Sequence, residues 1–228
     1  MTFSGARILV VGGSGAIGAE FVRKFKALGA EVIASARNAD TAQRIPIEAD
    51  LRLILDLEDQ QSISRAVDYL KATYGHLDGV VLAAGLVAFG ATAETTISNF
   101  SRLIQVNCIG QIAVASELGE LLGKSERDSK FIAGLSGVVA EKTFPGMAAY
   151  TASKTAFSAG LRSLQLELRR KGVSVLDARP GHIETGLAGR AIFGTAPAFS
   201  TGMTATHVVD RVIKAISEQK TELASSDF

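Results

Sequence analysis

Short, mainly apolar runs without polar alternation are followed, again and again along the chain, by longer segments whose apolar residues recur at helical spacing. The runs are "ARILVV" at 6–11, "EVIASA" at 31–36, "LRLILDL" at 51–57, "DGVVLAA" at 78–84, "KFIAGLS" at 130–136 and "VSVLDA" at 173–178. Between them, "AIGAEFVRKFKAL", "QSISRAVDYLKATY", "ISNFSRLIQVNCIGQIAVASELGELL" and "AYTASKTAFSAGLRSLQLELRRKG" carry the helical pattern. A strand that does not alternate needs cover on both faces. The series therefore predicts a parallel sheet between two helix layers, joined by right-handed crossovers. The expected fold class is α/β, a doubly wound parallel sheet of Rossmann type with helices on both faces and about seven strands. The segment "TELASSDF" would supply the last strand.

Nothing in the composition divides this pattern. A chain of 228 residues, 47% hydrophobic, suits one domain over 1–228, and no repeat or low-complexity tract interrupts it. The one long, weakly patterned stretch, "TGLAGRAIFGTAPAFSTGMT" at 185–204, reads as a lid over a substrate. The formal charge of +1, from 24 basic and 23 acidic residues, leaves no footprint for nucleic acid or an anionic membrane. The single cysteine, Cys108, sits in an apolar segment and reads as a buried free thiol. No His, Cys, Asp or Glu cluster has metal-ligand spacing, which disfavours a zinc dehydrogenase, and no GxSxG elbow marks a serine hydrolase. The start "MTFSGARILVVGG" carries no cleavage signal and no run reaches the roughly 20 residues of a membrane span. A soluble, cytoplasmic protein acting on small molecules is expected.

The turn "VVGGSGAIG" follows the first predicted strand and opens the first helix. Gly13, Gly15 and Gly18 have GxGxxG spacing: a tight turn, close backbone approach to a pyrophosphate, and close packing of helix on strand. The second strand ends "ASARN" without the acid that would bond a ribose 2′-hydroxyl. Arg37 can instead pair with a 2′-phosphate, so NADP(H) is the expected cofactor, with NAD(H) the other option; a solvated arginine is the plain reading. Asp56 either accepts a bond from the adenine amino group or caps the next helix.

In "YTASK" the spacing of four places Tyr150 and Lys154 on one face of a helix beginning near Met147. A free phenol titrates near ~10, and a fixed cation beside it would lower that value and fit it for acid–base work. The pair opens the helix after the fifth strand, and in an open α/β sheet ligands bind beyond the carboxyl ends of the strands. Phosphate turn and tyrosine thus face one crevice.

With these motifs in this order, from "VVGGSGAIG" through "YTASK" to "RPGHIETGL", the chain resembles the short-chain dehydrogenase/reductase family along nearly its whole length. The family's TGxxxGxG appears here with Val11, Gly12, Ala16 and Gly18 in those places, and its NNAG is reduced to Leu82-Ala83-Ala84-Gly85. The resemblance implies hydride transfer between a nicotinamide and a carbonyl or secondary alcohol. Tyr150 would be the general acid/base, Lys154 would lower its pKa and bond the nicotinamide ribose, and Asn107 in "QVNCIG" would support a water relay beside the lysine. Carried over in the same way, the cofactor site would comprise Gly12, Gly13, Ser14, Gly15, Ile17 and Gly18, then Arg37, Asp56, Leu57, Ala84 and Gly85. Pro180, Gly181, Ile183 and Thr185 of "PGHIET" would hold the nicotinamide amide. The family's substrate-orienting serine stands thirteen residues before the tyrosine, where this chain has Gly137; Ser136 is one place early. A one-residue bulge in the loop 137–146 would bring Ser136 to the substrate, whereas strand alternation without one would turn it away. Homo-oligomers, dimer or tetramer, are a further family expectation.

The residues that alignment with the family sets around the substrate are mostly apolar: Val87, Ala88, Phe89, Val138, Val139, Phe144, Met147, His182, Phe193 and Phe199. They suggest a ketone or secondary alcohol on a moderately hydrophobic body, with Lys142 and Arg190 as solvated charges or partners for an acid group. The rival reading is a non-catalytic NADP-binding redox sensor or scaffold of the same fold. Retention of Asn107, Tyr150 and Lys154 together argues against it, because a sensor needs no proton donor.

Overall fold

The computed structural model describes residues 2–228. Seven parallel strands form one sheet in the order β3-β2-β1-β4-β5-β6-β7. They are β1 Arg7–Val11, β2 Glu31–Ala36, β3 Leu51–Ile54, β4 Gly79–Leu82, β5 Lys130–Leu135, β6 Val173–Ala178 and β7 Glu222–Leu223. The order runs outward in both directions from β1, so the crevice between β1 and β4 lies at the topological switch point. The sequence expectation of a doubly wound parallel sheet of about seven strands holds.

Why the strands are apolar without alternation is visible in β1. Ile8 and Val10 enter one core cluster, with Phe21, Phe25 and Val212, while Leu9 and Val11 enter the other, with Leu70, Leu118 and Phe157. Each face is covered by its own helices: α1 (Ala16–Ala27) and α7 (Ala205–Ser217) on one, α3 (Gln60–Thr73), α5 (Gly110–Gly123) and α6 (Ala148–Leu168) on the other. The short α2 (Ala39–Ala42) is fixed by a capping box between Asn38 and Thr41. At the third strand the pairing ends at Ile54, short of the expected 57, and Asp59 rather than Asp56 caps α3 through a 2.9 Å bond from the Gln61 N–H.

The segment 97–122, expected as one helix, is broken. Helix α4 (Ile97–Ile104) passes into a wide turn, Gln105–Ile109, in which the Gly110 N–H reaches back to the Gln105 carbonyl. Such π-turns appear mostly as single insertions and often at functional sites. A Cβ on Gly110 would stand 2.7 Å from the Leu57 carbonyl oxygen, so only glycine lets this turn approach the strand end so closely.

One of the tightest backbone contacts in the fold joins the first helix to the first turn. A Cβ on Gly18 would lie 2.1 Å from the Gly12 carbonyl oxygen, which itself accepts the Gly15 N–H at 3.0 Å. Gly18→Ala should therefore cost about 1–3 kcal/mol of stability by overpacking and lower Tm by several degrees. Gly75 has nothing within 4 Å of an added Cβ and no positive φ, so Gly75→Ala should leave Tm unchanged or slightly raised in the same calorimetric comparison.

Candidate functional site

A cleft of about 780 Å³ opens across the carboxyl ends of the strands. It gathers residues far apart in sequence: Ser14, Gly15 and Ile17 at the first turn, Arg37 after β2, Asp56 and Leu57 after β3, Ala84 and Gly85 after β4, Tyr150 and Lys154 on α6, and Pro180, Gly181 and Thr185 after β6. Gly12 and Ser136 also touch it. Of the residues expected at the site, Gly13, Gly18, Asn107 and Ile183 stand behind its wall. Gly13 packs where a Cβ would meet that of Ala34 at 2.8 Å, and the Ile183 side chain packs into the core as its backbone bridges to Met203.

At the phosphate end, the left-handed residue of the turn is Gly12, with φ of +83°, rather than Gly13. A Cβ there would stand 2.8 Å from the Ala84 nitrogen, so Gly12 lets the first turn and the turn after β4 come together. Gly15 is the N-cap of α1 and brings no capping side chain, which leaves the helix's first N–H groups facing the cleft. Arg37 is exposed, and among the described residues its guanidinium has no hydrogen-bond or ion-pair partner. Two further basic residues line the cleft beyond the expected set. Arg44 lies seven positions after Arg37, past α2, and Arg102 on α4 is held by Glu58 at 2.9 Å. Only the crossing of α2 and α4 over the strand ends brings them in, and no local spacing marks them. Asp56 does not cap α3; its carboxylate accepts the Glu58 N–H at 2.9 Å and faces the cleft.

At the other end stand the tyrosine and lysine. Lys154 is 5% exposed, and its Nζ donates to the Leu135 carbonyl at 2.8 Å over the ring of Phe157. Burial pulls its pKa down to about 8, against the pull of Asp177 and Cys108. Burial pushes the Tyr150 phenol up to about 12. Burial is the cause that moves the phenol, and it moves it opposite to the lowering expected from a fixed cation; the Lys154 ammonium is bound to Leu135. At neutral pH Tyr150 carries its proton, and among the described residues the phenol oxygen has no hydrogen-bond partner. Cys108 is partly buried, and burial raises its pKa as well, so it is an inert thiol.

Asn107 lies in the π-turn and is fully buried. Its Oδ1 accepts the Leu86 N–H at 2.8 Å, and its Nδ2 donates to the Leu86 carbonyl and to Ser153 Oγ, each at 2.9 Å. Every polar atom of the side chain is satisfied by direct bonds. The residue clamps the turn after β4 to α6, a structural duty that the sequence did not suggest.

Ser136 does not turn to Tyr150. The ladder between β5 and β6 continues past the strand ends, with the Ser136 N–H on the Ala178 carbonyl and the Val138 N–H on the Pro180 carbonyl. Two residues advance on each side, so the one-residue bulge that would re-aim Ser136 is not there. Its hydroxyl, 1% exposed as a residue, is bound instead to Asp177 Oδ1 at 2.5 Å. Gly137 takes the place expected for the serine, with φ of +101° and no hydroxyl to offer.

None of the ten mainly apolar residues expected around a substrate lines the cleft. Val87, Ala88 and Phe89 are buried, and the backbone of Val87 and Phe89 binds Ile192 and Phe193. That pairing draws the segment after β6 over the cleft, where Leu187, Ala191 and Ile192 face Leu86 and Tyr150. Phe199 stacks on His182 at 4.5 Å, outside the cleft. Among the described residues, no group of His, Cys, Asp and Glu could hold a metal, and no helix is long and apolar enough to cross a membrane.

Known proteins share this fold. A sequence model of the short chain dehydrogenase family matches residues 6–192. A Drosophila melanogaster dehydrogenase/reductase SDR family protein 7-like is 27% identical over 240 residues, covering 98% of this chain and 73% of that protein. The glycine betaine reductase ATRR of Emericella nidulans is 28% identical over 193 residues, 82% of this chain but 15% of that much longer one. Among solved structures, a short-chain dehydrogenase from Streptomyces avermitilis superposes with a TM-score of 0.84 at 24% identity, over 97% of this chain and 88% of that one. One from Sphingobium yanoikuyae, solved with NADPH, superposes at 0.83 with 22% identity, over 96% and 87%. The match of 6–192 spans both the glycine turn and the Tyr150–Lys154 helix, and on it the chain belongs to the short-chain dehydrogenase family of oxidoreductases.

Proposed function

We propose that this protein is an NADP(H)-preferring reductase of small carbonyl compounds, working between carbonyl and secondary alcohol with Tyr150 as the proton donor. The observation that carries the reading is the opening of Tyr150, Lys154 and the glycine turn onto one cleft. That cleft fits a dinucleotide by shape: glycines at 12 and 18 meet backbone where any Cβ would collide, and the uncapped N-terminus of α1 faces the same space. Two solved relatives, from Sphingobium yanoikuyae and Burkholderia cenocepacia, were obtained with NADPH and NADP. The unpaired Arg37, with Arg44 beside the same cleft, suits a 2′-phosphate.

When bound, a reduced nicotinamide supplies hydride at C4. Tyr150, protonated and free of protein partners, hydrogen-bonds the carbonyl oxygen and gives up its proton as that oxygen gains charge. Lys154 bonds the nicotinamide ribose and offsets the negative charge that the phenol then takes. Asn107 keeps α6 and the turn after β4 in register around them, and any relay from it to the lysine runs through water. Gly137 offers no hydroxyl, so Tyr150 alone orients the oxygen from a side chain. Leu187, Ala191 and Ile192 form a lid segment that excludes water and selects an apolar body.

One observation favours a second reading, a non-catalytic NADP-binding sensor: glycine stands where the family's substrate-orienting serine would be. A panel of ketones and aldehydes with NADPH separates the two. Turnover by the wild type, reduced about 10²–10⁴-fold in Tyr150→Phe with NADPH binding retained, supports the reductase, whereas binding without turnover across the panel supports the sensor. Arg37→Ala should weaken NADPH binding about tenfold or more and leave NADH binding unchanged, as read by fluorescence titration. Equal losses for the two would remove the 2′-phosphate role. The pH profile of reduction follows from the lysine. Its ammonium is fully present below about 8 and lost above it, whereas Tyr150 keeps its proton to about 12. The rate of carbonyl reduction should therefore be flat at neutral pH and fall through about 8.

A further inference from the structure

Asp177 is a carboxylate at the back of the site with no place in the family's motif. It lies on β6, is 2% exposed, and has both oxygens occupied by hydroxyl donors. Ser136 Oγ donates to Oδ1 at 2.5 Å and Ser158 Oγ donates to Oδ2 at 2.6 Å. Two donors on the two oxygens suit an ionised carboxylate, which only accepts. Burying such a charge without compensation is costly, and the surrounding cations decide how it is balanced.

Three cations bear on Asp177, one by contact and two at a remove. Arg179, just beyond the end of β6, approaches Oδ2 at 3.7 Å, but it is also paired at 2.8 Å with Glu141 and at 2.8 Å with Glu222. Two other carboxylates already claim its charge. Arg162, on α6, bonds Ser158 Oγ at 3.1 Å and reaches Asp177 only through that hydroxyl. The third is Lys154, one helical turn before Ser158 on α6. The lysine and the serine hang from the same face of the helix. Lys154 Nζ is tied to the carbonyl of Leu135, and the next residue, Ser136, is tied to Asp177. The other titratable groups beside Lys154 are Tyr150, on the same helix, and Cys108, in the π-turn, and neither is a strong counter-ion at neutral pH.

We propose that Asp177 is a positioning residue for Lys154: a buried counter-charge, latched by Ser136 and Ser158, that keeps the ammonium protonated behind Tyr150. The two serines thus act at a remove from the substrate, and Ser136 contributes to the site through the aspartate. The inference rests on the reading of Lys154 as the charged partner of the cofactor and the tyrosine, but its test reads the lysine itself. Asp177→Asn keeps the shape and removes the charge.

The experiment follows the ε-methylene signals of ¹³C-lysine-labelled protein by NMR between about pH 6 and pH 10, with Lys154 assigned by its loss in Lys154→Arg. In the wild type Lys154 should titrate near 8. In Asp177→Asn the midpoint should fall by about one pH unit, the lower end of the range for losing a nearby opposite charge. If Asp177→Asn does not fold, Asp177→Ser replaces it with the same expectation. A midpoint that stays within a few tenths of the wild-type value overturns the proposal and leaves Asp177 a purely structural pillar with Arg179. Since the lysine titration needs no turnover, a protein that reduces nothing would overturn the reductase reading alone.

Discussion

The register between β5 and β6, carried beyond both strand ends, sets what this site can do. Because the Ser136 and Val138 N–H groups step evenly onto the Ala178 and Pro180 carbonyls, side chains keep alternating across the sheet edge. Ser136 falls to the buried side and meets Asp177; Gly137 falls to the cleft. The same run of backbone presents the Leu135 carbonyl to Lys154. A slip of one residue here would exchange the serine and the glycine and detach the lysine from its anchor.

A second constraint is closeness without side chains. Gly12 against Ala84, Gly18 against Gly12 and Gly110 against Leu57 each place backbone where a Cβ would collide. These contacts bring the first turn, the turn after β4 and the π-turn around one crevice, and they leave room for a flat, polyanionic ligand along it. At the tyrosine end the same closeness takes the form of desolvation. It raises the phenol and lowers the lysine, so at neutral pH the phenol holds its proton and the ammonium is near its titration point.

Most of the architecture was legible in the sequence, since short runs apolar at successive positions, each followed by a helical pattern, fit strands covered on both faces, and β1 divides its side chains between two cores as that predicts. The glycine turn, Tyr150 and Lys154 were legible because their spacing and chain context coincide. What escaped the sequence depends on long-range placement. The π-turn around Asn107 looks like continuous helix in residue pattern, because one inserted residue hardly alters apolar periodicity. Arg44, Arg102 and Asp177 become neighbours of the site only through elements crossing from elsewhere. The upward shift of the Tyr150 phenol was not legible for a related reason: pairing can be read from spacing, but burial needs the packed fold.

In the proposed reaction a hydride passes from a reduced nicotinamide to a carbonyl carbon in this cleft, with Tyr150 supplying the proton. NADPH deuterated at C4, each face in turn, incubated with the protein and a panel of aldehydes and ketones, tests it by mass spectrometry of the alcohols. One deuterium is expected on the carbinol carbon from one face of the cofactor and none from the other. Saturable NADPH binding with no deuterium in any product would contradict it.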